Sequence, residues 1–177
     1  MTEPVALASG EVVRLDDVMI AMRDGTHLAT DIYLPARNGK PLPGPHPVLL
    51  ERTPYDKRGT RAAEITAKDR IPLPQAAMAA FFVRHGYCVV IQDCRGRYRS
   101  EGRFEKYVGE AADGFDTLEW IARQPWSIGR TAMFGLSYCA HVQMAAACLS
   151  PPSLAGMLLE DRKSTRLNSS HGYISYA

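Results

Sequence analysis

Apolar runs separated by polar turns predict several strands in the first half of the chain. Residues 12–22 and 28–35 have strand-like patterns, and the Asp24-Gly25 turn between them is typical of a β-hairpin. Residues 47–51 form a short apolar run that predicts a buried strand. Residues 87–92 are almost continuously apolar, as expected for a strand that is covered on both faces.

Helical patterns alternate with the later strands. Residues 75–84 predict a helix that ends at His85-Gly86, where glycine suits the carboxyl-terminal cap. Residues 109–124 give the clearest helix, which ends at Pro125. Its apolar face is predicted to carry Ala111, Phe115, Leu118 and Ala122. The charged, irregular stretch 56–74 predicts an exposed loop.

The next segment combines a strand, a tight turn and a helix. A short strand ends at Phe134, Gly135-Leu136-Ser137 follows, and an apolar helical segment continues to Leu149. This layout is typical of a nucleophile elbow, in which the turn lifts a serine oxygen out at the carboxyl end of a parallel sheet. The adjoining helix amino terminus supplies N–H groups and positive potential for an oxyanion. Ser137 is therefore the predicted nucleophile, and an ordinary turn serine is the alternative.

The order of these elements predicts an α/β fold. An antiparallel opening is followed by strand–helix repeats and by a last strand at residues 154–159. This order favours a doubly wound, mostly parallel sheet with antiparallel amino-terminal strands. By length, residues 1–160 fit one domain.

Two residues near Ser137 need an interpretation of their own. A strict Gly-x-Ser-x-Gly motif would have glycine at position 139, where this chain has Cys139 followed by Ala140. Cys139 is a competing nucleophile, but it is expected inside the helix and badly aimed. His141 is predicted to be a packing or surface residue and not the general base, because the base of such sites normally arrives from a distant loop. His85 is predicted to lie at a helix cap.

Composition excludes several classes of protein. The chain is 46% apolar and 23% charged, as in ordinary soluble domains, and its formal charge of +2 gives no reason to expect nucleic acid or a membrane surface as a partner. Residues 1–10 do not resemble a secretory leader, and no apolar run approaches the ~18 residues of a membrane span. These features predict a cytoplasmic protein.

The cysteines and the motifs give no sign of a metal or cofactor. Cys88, Cys94, Cys139 and Cys148 lack zinc-ligand spacing and are predicted to be reduced, mostly buried thiols. No Gly-x-Gly-x-x-Gly or phosphate-binding loop is present. We therefore expect no cofactor and no metal.

The last residues, 161–177, differ from the rest of the chain. They are polar, have neither helical nor strand periodicity, and resemble a sequencing adapter read as codons. We predict that they are not native and exclude them from the fold, as one would a fusion scar. A genuine polar tail is the alternative.

Several motifs, in order along residues 12–160, resemble the amino-terminal part of one hydrolase family. The family is that of the X-Pro dipeptidyl-peptidase-like hydrolases, which includes cocaine esterase, glutaryl acylases and α-amino acid ester hydrolases. The motifs are Met22-Arg23-Asp24-Gly25, Asp31-Ile32-Tyr33-Leu34-Pro35, Arg52-Thr53-Pro54-Tyr55-Asp56-Lys57, Gln92-Asp93-Cys94-Arg95-Gly96, Ser100-Glu101-Gly102, Asp113-Gly114-Phe115-Asp116, Trp120-Ile121-Ala122-Arg123-Gln124-Pro125-Trp126 and Gly135-Leu136-Ser137-Tyr138. The resemblance implies that residues 1–160 are part of an α/β-hydrolase domain.

The resemblance also implies roles for individual residues. Ser137 matches the family's nucleophile, and Tyr138 matches the residue whose backbone N–H forms half of the oxyanion hole. Tyr55 matches the tyrosine whose hydroxyl forms the other half; without the resemblance, a surface role for Tyr55 is equally favoured. Asp93 and Arg95 are interpreted as a structural ion pair that, with the Ser100-Glu101-Gly102 turn, shapes the site wall.

The family orders its triad as Ser, Asp and His, and no segment after Glu160 is suited to carry the last two. We therefore expect the parent protein to hydrolyse small-molecule esters, amides or short peptides, and the chain itself to be nearly inactive. Another serine α/β-hydrolase, such as a prolyl-oligopeptidase-like peptidase, and a non-catalytic folded fragment are the alternatives.

Overall fold

The computed structural model describes residues 11–61 and 73–160. The predicted adapter at 161–177 lies outside the described residues, as does much of the predicted loop at 56–74. The elements are β1 (Glu11–Ala21), β2 (His27–Arg37), β3 (Lys40–Pro41), β4 (His46–Thr53), β5 (Thr60–Arg61), β6 (Leu73–Pro74), α1 (Gln75–Arg84), β7 (Cys88–Asp93), α2 (Glu110–Ala122), β8 (Ser127–Leu136), α3 (Tyr138–Ala147) and β9 (Leu154–Glu160).

The main sheet is mixed, and its parallel part carries the predicted site. Its strand order is β1-β2-β7-β4-β8-β9, and β3 pairs with β2. The strands β7, β4, β8 and β9 pair in parallel, whereas β1 and β2 form an antiparallel hairpin and β2 pairs antiparallel with β7. The prediction of a mostly parallel sheet with antiparallel amino-terminal strands is confirmed.

Helices cover both faces of the sheet. On one face, α2 and α3 pack on a core that includes Leu50, Val90, Leu118, Met133 and Ala146. On the other face, α1 packs through Met78, Ala79 and Val83 onto Tyr33, Val89, Ile91 and Phe134. Strands that are buried on both faces are largely apolar, which explains residues 88–91 of β7, whereas Gln92 and Asp93 at its end are polar and also buried. The doubly wound α/β prediction is therefore confirmed.

The prediction for the buried face of α2 is correct for Leu118 and wrong for Ala111, Phe115 and Ala122. The buried residues of this helix are Glu110, Asp113, Gly114, Thr117, Leu118 and Ile121. This face is rotated from the predicted one, which included Ala111, Phe115 and Ala122. The apolar pattern was misleading because the buried face carries charged side chains whose partners lie on a distant strand. Gly114 is needed there, because a Cβ at that position would lie 2.6 Å from Ala146 Cβ on α3.

Two further findings concern the predicted absences. Within residues 11–61 and 73–160, no helix is long and apolar enough to cross a membrane. In the same residues no group of three or more His, Cys, Asp or Glu side chains is arranged to hold a metal ion. Cys88, Cys94 and Cys139 are buried and Cys148 is exposed, which confirms the prediction that the thiols are mostly buried.

Candidate active site

Ser137 occupies the tight turn between β8 and α3. Its backbone has φ 60° and ψ −115°, a conformation that residues with a Cβ rarely adopt and that costs on the order of 1–3 kcal/mol. The backbone is held by hydrogen bonds: Ser137 N–H donates to Glu160 O at 2.8 Å, and Ser137 O accepts from Ala140 N at 3.0 Å and His141 N at 3.1 Å. The side chain is exposed, so the turn presents its hydroxyl to solvent at the carboxyl end of β8.

The Ser137 hydroxyl is not used to cap the helix. A serine that precedes a helix commonly accepts a hydrogen bond from an N–H of the first turn. Within the described residues, no side-chain hydrogen bond from Ser137 caps α3. The Ser137 hydroxyl is therefore exposed and makes no capping hydrogen bond to α3.

The tightness of this turn depends on Gly135. A Cβ at position 135 would lie 2.5 Å from Cys139 Cβ and 3.3 Å from Glu51 Oε1, and Gly135 has φ +143°. Cys139 itself is buried and lies within α3. The chain therefore tolerates a cysteine where the strict motif has glycine, because the facing position 135 has no side chain. The thiol packs inside the elbow, as expected from its place in the helix.

Tyr138 begins α3 directly after the serine. As the first residue of the helix, it has no carbonyl one turn earlier to accept its N–H. Its side chain is buried, and its hydroxyl donates to Glu110 Oε1 at 3.0 Å and accepts from Tyr107 N at 2.9 Å. Burial raises the pKa of this hydroxyl above its usual value. Tyr138 thus stays neutral and ties the start of α3 to the start of α2.

A buried ion pair continues this connection to β4. Arg52 is 0% exposed, and its guanidinium lies 2.9 Å from Glu110 Oε2 and 3.7 Å from Asp113 Oδ2. It also donates from Nε to Gln92 Oε1 at 2.7 Å. The sequence alone did not reveal this network. Arg52 lies near the end of a strand, and Glu110 and Asp113 lie in the first turn of a helix, where charged residues are usually exposed. Polar residues at i, i+3 and i+7 of α2, namely Glu110, Asp113 and Thr117, were the available signal.

Tyr55 lies at the same edge of the sheet as Ser137. It follows the end of β4 by two residues, and Ser137 directly follows β8, which is paired in parallel with β4. The carboxyl ends of neighbouring parallel strands meet at one edge, where open α/β sheets bind ligands. The Tyr55 ring is 55% exposed, and its N–H donates to Thr53 Oγ1 at 3.0 Å.

The residue two positions after Tyr55 is buried, contrary to the prediction of an exposed loop from residue 56. Lys57 is 1% exposed, and its ammonium lies 2.6 Å from Asp17 Oδ1, 3.6 Å from Asp31 Oδ1 and 3.5 Å from Asp93 Oδ2. The three carboxylates compensate a charge that would otherwise be very costly to bury. The sequence pattern cannot show this, because the carboxylates come from three different strands or strand ends.

The carboxylates around Lys57 have shifted pKa values. Burial alone would raise the pKa of Asp17, but hydrogen bonds from Lys57 and Arg99 lower it to about 2. Burial likewise opposes the hydrogen bonds from Arg58 and the Asp17 N–H, which together lower the pKa of Asp31. For Asp93, burial has the larger effect and raises the pKa despite the nearby Lys57.

Asp93 and Arg95, which were predicted to form an ion pair in the site wall, each have structural partners but do not pair with each other. Asp93 accepts from Lys57 N at 2.8 Å, whereas Arg95 pairs with Asp113 at 2.6 Å and with Asp24 at 2.8 Å. Ser100 Oγ donates to Asp93 O at 2.7 Å. Asp93 and Arg95 therefore belong to two separate ion-pair groups, and the expectation of a single pair is wrong.

The two histidines near helix ends occupy the predicted kinds of position. The His141 ring packs against Tyr107 at 4.4 Å between centroids and against Tyr138 at 5.7 Å. His85 is the carboxyl-terminal cap residue of α1, and its Nδ1 lies 2.7 Å from Phe81 O.

Comparison with known proteins shows the family of the chain. Residues 24–173 match the family described as X-Pro dipeptidyl-peptidase (S15 family). The chain belongs to the S15 family. Over 141 residues this S15 chain is 42% identical to cocaine esterase from Rhodococcus sp. (strain MB1 Bresler), an alignment that covers 80% of the chain and 22% of the esterase.

Solved structures support the same assignment. A CocE/NonD family hydrolase from Staphylococcus aureus superposes with a TM-score of 0.69 at 30% identity, over 83% of the S15 chain and 27% of that hydrolase. An α-amino acid ester hydrolase superposes with a TM-score of 0.64 at 34% identity, over 86% of the S15 chain and 26% of that enzyme. The resemblance and the partial α/β-hydrolase fold are confirmed. The S15 chain spans about a quarter of the length of these proteins.

Proposed function

We propose that the protein to which this chain belongs is a serine hydrolase of esters or amides, with Ser137 as its nucleophile. The observation that carries the proposal is the Ser137 hydroxyl, which is exposed on a strained turn between β8 and α3 and does not cap the helix. Its relatives include an esterase and an amino acid ester hydrolase by name. Small-molecule esters, amides or short peptides are therefore the proposed substrates.

The reaction proceeds by acyl transfer. Ser137 Oγ attacks the substrate carbonyl carbon while a general base removes its proton, and the carbonyl oxygen becomes an oxyanion. The Tyr138 N–H and the Tyr55 hydroxyl donate hydrogen bonds to that oxygen. The intermediate then expels an alcohol or amine that takes up the proton, and water hydrolyses the acyl–Ser137 bond. No cofactor is required for these steps.

The general base and its carboxylate partner are proposed to lie outside these 177 residues. In α/β-hydrolases the triad follows the chain order Ser, Asp or Glu, His. A serine without its base retains only the catalysis that binding and the oxyanion hole provide. We therefore propose that the chain alone hydrolyses its substrate slowly or not at all.

Labelling with a fluorophosphonate, which reacts with activated serines, tests the proposed function. The folded full-length protein should be labelled on the peptide that contains Ser137, and Ser137→Ala should remove the label. The 177-residue chain should be labelled far more slowly, since it lacks the base. An unlabelled full-length protein would show that the elbow assignment is wrong. Equal labelling rates for both proteins would overturn the proposal that the base lies elsewhere.

The oxyanion role of Tyr55 gives a second prediction. Tyr55→Phe keeps the exposed ring but removes the donor, so kcat of the full-length protein should fall by about 10²–10³-fold with a nearly unchanged KM. Steady-state kinetics with a p-nitrophenyl ester measure both constants. Tyr87→Phe is the matched control, because Tyr87 directly precedes β7 and so lies at the opposite, amino-terminal edge of the parallel strands. Equal rates for the two variants would exclude the Tyr55 role.

A further inference from the structure

An oxyanion donor must be held at a fixed position before the reaction begins. Preorganised donors stabilise a transition state because they need not move as charge develops. Tyr55 is poorly suited to this by its own packing, since its ring is 55% exposed. Its position must therefore be fixed by the backbone on either side of it.

The backbone before Tyr55 has one such fixed point. Arg97 donates from Nε to Pro54 O at 3.0 Å. Its guanidinium carbon also lies 5.1 Å from the centre of the Phe104 ring and 5.3 Å from the centre of the Tyr98 ring. The carbonyl that directly precedes Tyr55 is thus held by a side chain that itself rests on two aromatic rings.

The backbone after Tyr55 is held more strongly, through Lys57. The Lys57 N–H donates to Asp93 Oδ1 at 2.8 Å, while its ammonium reaches Asp17 Oδ1 at 2.6 Å. Between the two residues, Asp56 has φ 79° and its carbonyl accepts from Gly59 N at 3.0 Å, which makes a tight turn. A left-handed residue followed by a buried cation leaves the chain little freedom at this point.

The groups that hold Lys57 come from separate strands. Asp17 lies where the register of β1 shifts between Leu15 and Val18, Asp31 lies within β2, and Asp93 is the last residue of β7. The Asp17 N–H also donates to Asp31 Oδ1 at 2.9 Å, which fixes the shifted segment to β2. The ammonium thus joins the Tyr55 turn to the antiparallel strands β1 and β2 and to the end of β7. Arg97, in the segment after β7, holds the backbone on the other side of Tyr55.

We propose that Lys57 is a positioning residue for catalysis, which fixes the Tyr55 hydroxyl at the oxyanion site through its ionic contacts with Asp17, Asp31 and Asp93. This inference rests on the proposed function, because attack by Ser137 forms the oxyanion that the Tyr55 hydroxyl would stabilise. Lys57 touches no reacting atom. A buried charge is weak evidence for stability, since an apolar side chain of similar volume is often as good or better. The contacts of Lys57 on the chain next to Tyr55 support a geometric role instead.

A double-mutant cycle on the full-length protein tests this role. Lys57→Met should lower kcat by about 10- to 100-fold through misplacement of the donor, with KM changed little. In a Tyr55→Phe background the same substitution should have almost no further effect on kcat, because the group that Lys57 positions is already missing. A purely structural defect would lower kcat by a similar factor in both backgrounds.

A milder variant covers the case in which Lys57→Met does not fold. Asp17→Asn removes one charge from the contacts of the ammonium, and Asp17 is 29% exposed in its side chain, so the protein should tolerate it. It should lower kcat in the wild-type background and not in the Tyr55→Phe background. Asp16→Asn is the matched control and should leave kcat unchanged. Asp16 is the neighbouring carboxylate, and it pairs with Arg14 and Arg58.

The outcomes separate this inference from the proposed function. If the full-length protein is not labelled at Ser137, both the proposed function and the positioning role of Lys57 are wrong. If Ser137 is labelled and Tyr55→Phe slows turnover, but the Lys57 or Asp17 effect is the same in both backgrounds, only the positioning role is wrong. If the Lys57 or Asp17 substitution lowers kcat only when the Tyr55 hydroxyl is present, the positioning role is supported.

Discussion

Replacing Ser137 with alanine should reduce the hydrolytic rate of the full-length protein by roughly a million-fold, as for other serine nucleophiles. The substitution removes the atom that forms the acyl-enzyme and leaves only binding and the oxyanion hole. Progress curves with an activated ester, at enzyme concentrations high enough to detect slow turnover, measure the loss. A variant that retains a rate within about tenfold of the parent would contradict the assignment of the nucleophile, since the other groups cannot supply the missing step.

The same substitution should leave the fold almost unchanged. Because Ser137 does not cap α3 with its side chain, alanine removes no capping hydrogen bond there. The turn is held instead by the backbone bond from Ser137 N to Glu160 O. Ser150→Ala provides a matched control, since Ser150 is exposed, has φ 51° and follows the opposite end of α3. It should retain full activity.

The parts of the fold that depend on local pattern could be predicted from the sequence. Residues 75–84 form the predicted helix with the same ends as α1, and the Asp24-Gly25 turn joins β1 and β2 as expected. The turn at Ser137 was also recognisable, since a strand, a glycine and an apolar helix follow one another directly. These features are encoded within a few neighbouring residues.

The parts that depend on buried charge could not be predicted. Pattern analysis assigns charged residues to the surface, because they are almost never fully buried unless paired. Arg52 and Lys57 are both buried, and each finds its carboxylates more than 25 positions away in sequence. Buried charge also explains why the buried face of α2 differs from the predicted one, because Glu110 and Asp113 face inward. Family resemblance named Tyr55 and Tyr138, but the groups that hold them emerged only from the structure.

Breaking the pair between Arg52 and Glu110 should be among the most destabilising single changes in this chain. Arg52→Met keeps much of the side-chain volume but leaves Glu110 buried without its cation. Removing one partner of a buried pair costs about 3–5 kcal/mol, against a total stability of about 5–15 kcal/mol for a typical domain. Urea denaturation of the full-length protein, followed by circular dichroism, should show a much lower midpoint.

A second substitution should restore part of this loss. Glu110→Gln removes the uncompensated charge yet keeps an oxygen that can accept from Tyr138 Oη, so Arg52→Met with Glu110→Gln should be more stable than Arg52→Met alone. Arg23→Met is the matched control. It breaks an ion pair with Asp116 on the same helix, but Arg23 is 52% exposed, so the loss should be much smaller. Equal losses for Arg52→Met and Arg23→Met would mean that burial of the pair between Arg52 and Glu110 does not control its contribution. A double variant no more stable than Arg52→Met would mean that the unpaired charge is not the cause of the loss.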